Sequence, residues 1–231
     1  IAAPVMIFGE QTNEEFKLAL KYDFVCCVGD IKRAEKLSSL ALEADKKAIV
    51  HIKIDTGMSR YGTRWNKAIE FIDYVNKNKS LKLEGVMSHF AMSDELDKSF
   101  ALKQLERFQN VLNEMEQRGI KVEYRHICNS GGFLDLPQAH LDMVRIGILP
   151  LGIYPSETCR RILGIEPVMS IKSKVVAIRD IETGDSVSYG MRYHANSPRR
   201  IATLPMGYGD GYPRVHNKGY VLIYGKRAPI V

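Results

Sequence analysis

Residues 48–75 read AIVHIKIDTGMSRYGTRWNKAIEFIDYV, and this stretch decides the fold class of the chain. It begins with an apolar run typical of a buried strand, and a polar loop follows. Large apolar residues then recur at the spacing of one helix face: Trp65, Ile69, Ile72 and Val75. A strand, a loop and a helix in this order form the unit from which parallel βα sheets are built.

The same alternation extends from the start of the chain to about residue 150. Helices are indicated by a capping-box motif from Thr12 to Glu15, an amphipathic stretch over 31–45, and a long apolar face that Gly119 ends. Strands alternating with helices predict a parallel sheet covered by helices, and both an open doubly wound sheet and a closed βα barrel fit. The predicted strands span residues 4–8, 24–28, 48–54, 83–87, 122–127 and 143–148.

From about residue 165 the pattern changes to short strand-like runs separated by turn signals. No helical period intervenes, and Glu182-Thr183-Gly184-Asp185 is typical of such a turn. We therefore predict a βα domain over residues 1–155 and a mostly β domain over residues 156–231. The strands predicted in the second domain span residues 168–178, 186–188, 200–205 and 220–224.

The composition is that of a globular protein, with 45% hydrophobic and 26% charged residues. The net charge of +6 comes from 33 basic residues that are spread among 27 acidic ones, which argues against a nucleic-acid partner. No apolar run approaches the ~20 residues that cross a bilayer, and the start lacks the form of a signal peptide. These features predict a cytoplasmic protein.

The cysteines and the two ends of the chain add two expectations. Cys26, Cys27, Cys128 and Cys159 have no paired spacing, which predicts buried thiols without a metal or a disulfide framework. Both ends lie inside apolar runs, IAAPVMIFG and GYVLIYGKRAPIV. Because intact domains seldom begin or finish within such a run, we expect the chain to be a segment of a longer protein.

The polar loop after residues 48–54 contains Asp55-Thr56-Gly57, the tripeptide of aspartic-protease active sites. An aspartic protease needs two such carboxylates, whereas this chain has one copy inside a βα repeat. Asp55 and Thr56 are better interpreted as turn residues, with Gly57 providing a positive φ. Arg60, just past the strand end, is well placed to bind a carboxylate through two N–H groups.

Four other polar residues are candidates because the carboxyl ends of parallel strands face one shared cavity. His89 follows a predicted strand, and its role is either structural or catalytic. Ser130 begins a Ser-Gly-Gly stretch whose amides can approach an anion. Arg145 lies inside an apolar run and needs either an internal carboxylate or a ligand. Tyr208 lies among glycines, either in a tight aromatic turn or as a proton-transfer group.

Taken together and in this order, five motifs resemble alanine racemase: HIKIDTGMSRYG, SHFAMSDE, HICNSGG, DMVRIGI with the following LPLGIYP, and TLPMGYGDGYPR. That family consists of pyridoxal-phosphate enzymes of fold type III. The resemblance therefore implies a (βα)8 TIM-type barrel, whose first strands are missing from this chain, followed by a mostly β domain. It also implies a homodimer that interconverts L-alanine and D-alanine by two bases and supplies D-alanine for peptidoglycan.

The resemblance also implies roles for single residues. Tyr208 matches a catalytic base that reaches the active site of the partner subunit, and Arg60 matches the arginine that binds the substrate carboxylate. Lys53 matches a lysine that is carbamylated in many members. The remaining matches are cofactor-binding positions: Arg145 at the pyridine nitrogen, His89 by the ring, and Ser130, Gly147 and Ile148 at the phosphate.

The family's other base, a Schiff-base lysine in a Lys-Ala-Asn-Ala-Tyr-Gly-like motif, has no match in this chain. We expect it upstream of Ile1, and we expect a Met-Asp motif that shapes the substrate pocket after Val231. Two alternatives are a serine racemase domain of a vancomycin-resistance-type protein and a non-catalytic pyridoxal-phosphate-binding relative. The joint presence of Tyr208, Arg60 and Arg145 argues against the latter, because binding alone needs no opposed base.

Overall fold

The computed structural model describes residues 3–214 and 219–231. The chain divides into two compact units, Ile1–Val168 and Met169–Val231. We call the first the βα unit and the second the β unit. Within the described ranges, no helix is long and apolar enough to cross a membrane.

The βα unit is built on a parallel sheet with strand order β1-β2-β3-β5-β6, and β4 pairs with the end of β3. All its pairings are parallel, as predicted for alternating strands and helices. The strands are β1 (Met6–Ile7), β2 (Val25–Val28), β3 (Ala48–Asp55), β4 (Thr63–Arg64), β5 (Leu81–Met87) and β6 (Tyr124–His126). The helices are α1 (Asn13–Tyr22), α2 (Ile31–Glu43), α3 (Ala68–Lys77), α4 (Ser99–Gln117) and α5 (Ser130–Asp135).

Local sequence signals explain where the helices begin and end. At α1 the Thr12 hydroxyl accepts from the Glu15 N–H at 3.2 Å, and the Glu15 carboxylate accepts from the Thr12 N–H at 2.6 Å. This is the predicted capping box. Asp30 caps α2 by accepting from the Arg33 N–H at 3.0 Å. Gly119, with φ at +69°, adopts the left-handed conformation just beyond α4 and ends it as predicted.

The hydrophobic core of the βα unit lies between the sheet and its helices. All four residues of β2 are buried, and so are Val50, Ile52 and Ile54 of β3. Helix side chains such as Phe16 of α1 and Phe108 of α4 pack into the same cluster. Strands that are apolar on both faces are typical of a parallel sheet with covered faces. The core therefore fixes the strand ends on which the polar candidates lie.

One predicted strand is not formed, and another begins later than predicted. Among the described residues, 143–148 form no ladder; the Arg145 N–H donates to the Cys128 carbonyl at 2.9 Å and the Gly147 N–H donates to the Ser130 hydroxyl at 3.0 Å. These isolated bonds replace strand pairing, and residues 143–148 are half-buried or exposed, so the apolar run indicated neither a strand nor full burial. The strand predicted over 168–178 begins only at Ala177.

The described residues of the β unit contain three antiparallel pairs: β7 with β10, β8 with β9, and β11 with β12. Tyr224 and Gly225, with φ of +48° and +76°, form the two-residue turn between the last pair. Positive φ at both positions is typical of tight hairpins. The strands are β7 (Ala177–Ile181), β8 (Ser186–Val187), β9 (Tyr193–His194), β10 (Arg199–Thr203), β11 (Tyr220–Ile223) and β12 (Lys226–Pro229).

Candidate active site at the strand ends

The central residue of the candidate site is Arg145, whose guanidinium lies against the ends of β5 and β6. Its Nη2 donates to the carbonyls of Ser88 at 2.6 Å and Ile127 at 3.2 Å, and lies 3.1 Å from His89 Nδ1. Its Nη1 contacts His126 Nδ1. Within residues 3–214 and 219–231, no carboxylate forms an ion pair with Arg145. The internal carboxylate, one of the two predicted partners, is thus not found among these residues.

Three histidines near this cation have a lowered pKa. Burial, and then the charge of Arg145, lowers the pKa of His126 to about 2 and that of His89 to about 4. Burial also lowers the pKa of His51. Burial lowers the pKa of Arg145 itself to about 10, which leaves the guanidinium charged at neutral pH. The site thus combines one fixed cation with neutral imidazole rings.

Lys53 is fully enclosed near the carboxyl end of β3, where its side chain is 2% exposed. Its Nζ donates to the Ile54 carbonyl at 3.1 Å. Burial is the largest cause that lowers the pKa of Lys53 to about 8; Asp55 raises this pKa, and Arg145 and Arg60 lower it. A substantial fraction of this amine is therefore uncharged in mildly alkaline solution, and an uncharged amine is nucleophilic.

Arg60 follows the turn that Asp55 organises. The Asp55 carboxylate accepts from the N–H groups of Gly57 at 3.0 Å and Ser59 at 2.9 Å, and Gly57 has φ of +141°. This geometry agrees with a turn role for Asp55. Arg60 is exposed and lines a cleft of about 500 Å³ together with Tyr61, Trp65, Phe100 and Arg107. Its side chain is therefore accessible to a ligand.

Ser130 and Gly147 meet beside the start of α5. The buried Ser130 hydroxyl accepts from the Gly147 N–H at 3.0 Å, and Asn129 caps the helix by accepting from the Gly132 N–H at 3.0 Å. A Cβ added at Gly131 would lie 2.9 Å from Ser93 Oγ, so a small residue is needed there. A Cβ added at Gly147 would meet no atom within 4 Å, so this backbone faces open space.

Tyr208 is the candidate that lies in the β unit. It begins a short 3₁₀ turn, Tyr208–Asp210, and its side chain is 66% exposed. The Asp210 carboxylate accepts from the Gly207 N–H at 3.0 Å, and Gly211 ends the turn with φ of +86°. The guanidinium carbon of Arg214 lies 5.5 Å from the centre of the Tyr208 ring. The phenol of Tyr208 is thus exposed to solvent on a turn whose backbone conformation depends on glycine.

The structure brings six of the eight predicted residues close to the strand ends of the βα unit: Lys53, Arg60, His89, Ser130, Arg145 and Gly147. Ile148 follows directly and is 36% exposed. Sequence reasoning missed His126 and His51, which bond to each other at 2.7 Å beneath Arg145. The available signal was a histidine at the start of each apolar run HIKI and HIC.

Comparison with known families gives matches over nearly the whole chain. Residues 1–155 match the model of the alanine racemase N-terminal domain, and residues 168–231 match that of the alanine racemase C-terminal domain. Alanine racemase 2 of Caldanaerobacter subterraneus subsp. tengcongensis is 42% identical over all of this chain and 60% of its own length. Alanine racemase of Halothermothrix orenii is 38% identical, again over all of this chain and 61% of its own length. The chain thus spans about three fifths of these relatives.

Solved structures give the same result. An alanine racemase of Clostridium difficile 630 matches with a TM-score of 0.88 and 34% identity, over all of this chain and 61% of that one. The alanine racemase from a D-cycloserine-producing Streptomyces lavendulae matches with a TM-score of 0.87 and 30% identity, over 98% of this chain and 61% of its own. These similarities confirm the predicted fold class, a βα barrel followed by a mostly β domain. With family models, close relatives and solved structures in agreement, the chain belongs to the alanine racemase family.

Proposed function

We propose that the protein to which this chain belongs is a pyridoxal-phosphate-dependent alanine racemase. The observation that supports this most directly is Arg145, a half-buried cation that has carbonyl and imidazole partners but no carboxylate among the described residues. A cation whose protein partners are all neutral is suited to one more neutral acceptor, supplied by a ligand. A pyridine nitrogen is such an acceptor.

The residues present fit the phosphate end of the same cofactor. The Gly147 backbone faces open space, the Ser130 hydroxyl lies 3.0 Å from the Gly147 nitrogen, and Ile148 is partly exposed. These three residues would hold the phosphate, and His89 would lie by the ring. When bound, pyridoxal phosphate supplies an electron sink that makes the α-proton of an amino acid removable.

Racemisation removes a proton from one face of the α-carbon and returns a proton to the other face, so two opposed bases are needed. We assign one base to the phenol oxygen of Tyr208, acting in the partner subunit of a homodimer. The opposed base is the lysine of the family motif, which is not among residues 1–231. Arg60 would bind the substrate carboxylate and so orient the α-proton toward these bases.

Arg145 would regulate the strength of the electron sink. A permanent cation at the pyridine nitrogen donates an N–H and disfavours a proton there, unlike a carboxylate at the same place. A ring that Arg145 keeps unprotonated would be a weaker electron sink, and this would favour return of the proton to the α-carbon over side reactions such as transamination. The guanidinium thereby favours simple proton return over other outcomes.

Lys53 is proposed to react with carbon dioxide. Its uncharged Nζ forms the N–C bond, one nitrogen proton leaves to solvent, and the carbamate product has one negative charge. Lys53 is suited to this reaction because its pKa is lowered to about 8 by burial. The new anion would be attracted by the cation of Arg60 and would help to orient it.

The remaining parts of the proposal concern substrate and cellular role. Alanine is proposed over serine because the relatives that match the whole chain are named alanine racemases. The D-alanine would serve peptidoglycan synthesis in the cytoplasm. A non-catalytic relative is disfavoured because Tyr208, an exposed phenol on an ordered turn, has no use in cofactor binding by its own unit.

The function is tested by replacing Tyr208 with Phe in the intact protein loaded with pyridoxal phosphate. Loss of a general base reduces turnover of both enantiomers about 10²- to 10⁴-fold. Exchange of the α-proton with solvent deuterium should persist for the enantiomer whose proton faces the opposed base. Because Tyr208 is exposed, the free energy of unfolding should change by less than about 0.5 kcal/mol.

Tyr212→Phe is the matched control, because it removes a phenol from the same turn region. It should racemise alanine at a rate within a few-fold of the parent. Near-normal turnover by Tyr208→Phe would remove Tyr208 from the base role. A parent protein that binds the cofactor but turns over neither alanine nor serine would support the non-catalytic alternative.

A further inference from the structure

A continuous chain of side chains runs from Arg145 into the interior of the βα unit. Arg145 Nη1 contacts His126 Nδ1; His126 Nε2 lies 2.7 Å from His51 Nδ1; and His51 Nε2 lies 3.4 Å from a carboxylate oxygen of Glu84. Both histidines are 0% exposed. We call these four residues the Arg145–Glu84 chain.

The chemistry of its first member fixes the direction of every hydrogen bond in the chain. A guanidinium has only donors, so His126 Nδ1 must be an acceptor and the proton of this neutral ring must lie on Nε2. His126 Nε2–H then donates to His51 Nδ1, which places the His51 proton on Nε2. That proton faces Glu84, an acceptor. A permanent cation therefore orders two imidazole tautomers that end at an anion.

The backbone around His51 is built to admit this arrangement. The register between β3 and β5 shifts after Val50, so that Glu84 has no partner residue in β3. A shift of this kind re-aims side chains near functional sites. Next to it, a Cβ added at Gly85 would lie 2.5 Å from His51 Cε1, so a glycine is needed where the ring lies. The Tyr124 ring stacks on His51 at 5.9 Å.

We propose that His51 and Glu84 are positioning residues for Arg145, because they fix His126 as a hydrogen-bond acceptor for the guanidinium. Without an acceptor at His51, the proton on His126 Nε2 is either buried without a partner or moved to Nδ1. A proton on Nδ1 would face the N–H of Arg145. The chain thus excludes the tautomer that would repel the guanidinium.

The charges around the chain agree with two neutral rings. Arg145 faces His126 at one end, and Glu84 with its partner Lys82, at 3.0 Å, faces His51 at the other. Glu123 also acts on His51. Burial lowers the pKa of His51, although Glu84 opposes this, and burial and Arg145 lower the pKa of His126. Neither ring should therefore gain a proton near neutral pH.

The first experiment reads the tautomers directly and does not depend on the proposed function. Nitrogen-15 NMR of the intact, cofactor-free protein separates protonated from unprotonated ring nitrogens. We expect His126 and His51 to be protonated on Nε2 alone, with no change between about pH 6.5 and 8. A proton on Nδ1 of either ring, or a charged ring in this range, would overturn the inference.

The second experiment separates hydrogen bonding from packing, and its effect on the cofactor rests on the proposed function of Arg145. His51→Gln supplies an amide that both accepts and donates, so it should preserve the His126 tautomer. His51→Phe fills a similar volume and keeps the stacking on Tyr124 but has no acceptor. We expect His51→Phe to show mixed His126 tautomers and about ten-fold weaker binding of pyridoxal phosphate, and we expect neither change in His51→Gln.

His140→Phe is the control, because it removes a histidine bond of 3.0 Å to the Phe133 carbonyl outside the chain. It should leave the His126 signals unchanged. Equal behaviour of His51→Gln and His51→Phe would show a packing role and overturn the inference. Failure of the proposed function is a different result, since it would be seen as a parent protein that turns over neither alanine nor serine while the tautomers stay as expected.

Discussion

The βα unit and the β unit hold their polar residues in opposite ways. In the βα unit, polar side chains such as His51, Lys53, Gln104 and His126 are enclosed and hydrogen-bonded to other groups of the unit. In the described part of the β unit, the buried residues are Ile181 and Ala195, both apolar, and Tyr208 is two-thirds exposed. The βα unit thus holds these polar side chains away from water, and the β unit holds Tyr208 on an exposed turn.

This difference matches the chemistry proposed for each unit. A group whose protonation must stay constant, such as Arg145 or a neutral histidine, benefits from burial that disfavours any change of state. A group that must accept and return a proton should remain accessible and able to change state. The comparison leads to a general expectation. Substitutions of enclosed polar residues in the βα unit should affect stability strongly, and substitutions around Tyr208 should affect it weakly.

The largest expected effect on stability is that of acid on the βα unit. The pKa of His89 is about 4 and that of His126 about 2, below the ~6.5 of an unfolded histidine. Between these values the unfolded chain binds more protons, so the free energy of unfolding falls as pH falls below about 6.5. Between pH ~7.5 and ~5.5, each of these two groups lowers the free energy of unfolding by about 1.4 kcal/mol, or about 3 kcal/mol for both. Urea unfolding at pH ~7.5 and ~5.5 measures this loss.

A variant sharpens this prediction. His89→Gln removes one of these groups and should reduce the loss by about 1.4 kcal/mol. Gln109→Leu, which changes an exposed residue of α4 that does not titrate, should leave the pH dependence of the parent. If the three proteins lose the same free energy between the two pH values, burial of His89 is not the source of the acid sensitivity.

The second effect concerns Gln104, a fully buried side chain of α4. Its Nε2 donates to Thr56 Oγ1 at 3.2 Å and to the His89 carbonyl at 3.0 Å, and its Oε1 accepts from the Ala91 N–H at 2.8 Å. Gln104→Leu keeps most of the volume but leaves these groups without partners. We expect the free energy of unfolding to fall by about 2 kcal/mol, measured by urea denaturation.

Gln109→Leu is the matched control on the same helix. Gln109 is exposed and bonds to Asn113 at 3.0 Å, so its loss should change stability by less than about 0.5 kcal/mol. Equal losses in the two variants would contradict the view that enclosed polar contacts hold the strand ends of the βα unit in place.

The sequence predicted the features that depend on local patterns. Alternation of apolar runs with helical spacing was enough for the parallel sheet, and Thr12, Glu15 and Gly119 were enough for helix ends. It was not enough for residues 143–148, because an apolar run does not report whether a strand partner is near, and none of these residues is fully buried. The two-residue strand β4 has no pattern of its own to recognise.

The candidate site shows the same limit. Each strand-end residue was visible alone in the sequence, and the roles that the resemblance implied for them stay proposals. The Arg145–Glu84 chain was not predictable, because it depends on the register between β3 and β5 and on the shift that leaves Glu84 unpaired. Register is a property of two strands together, and no single run of residues contains it.

The smallest effect on stability is expected in the turn that contains Tyr208. The Asp210 carboxylate is exposed and accepts from the Gly207 N–H at 3.0 Å, which closes the turn at the residue before Tyr208. Asp210→Ala removes this bond and should lower the free energy of unfolding by less than about 1 kcal/mol, because water replaces the lost acceptor. Asp210→Asn keeps an oxygen acceptor and should change stability even less.

Function should respond differently from stability at this position. If Tyr208 is the base, a looser turn places its phenol less accurately, and small displacements of a reacting group reduce rates sharply. We expect Asp210→Ala to reduce kcat for alanine racemisation several-fold more than Asp210→Asn, with similar unfolding curves for both. A loss of stability in Asp210→Ala as large as that in Gln104→Leu would contradict the comparison between the units. The turn would then contribute as much to stability as the enclosed polar contacts of the βα unit.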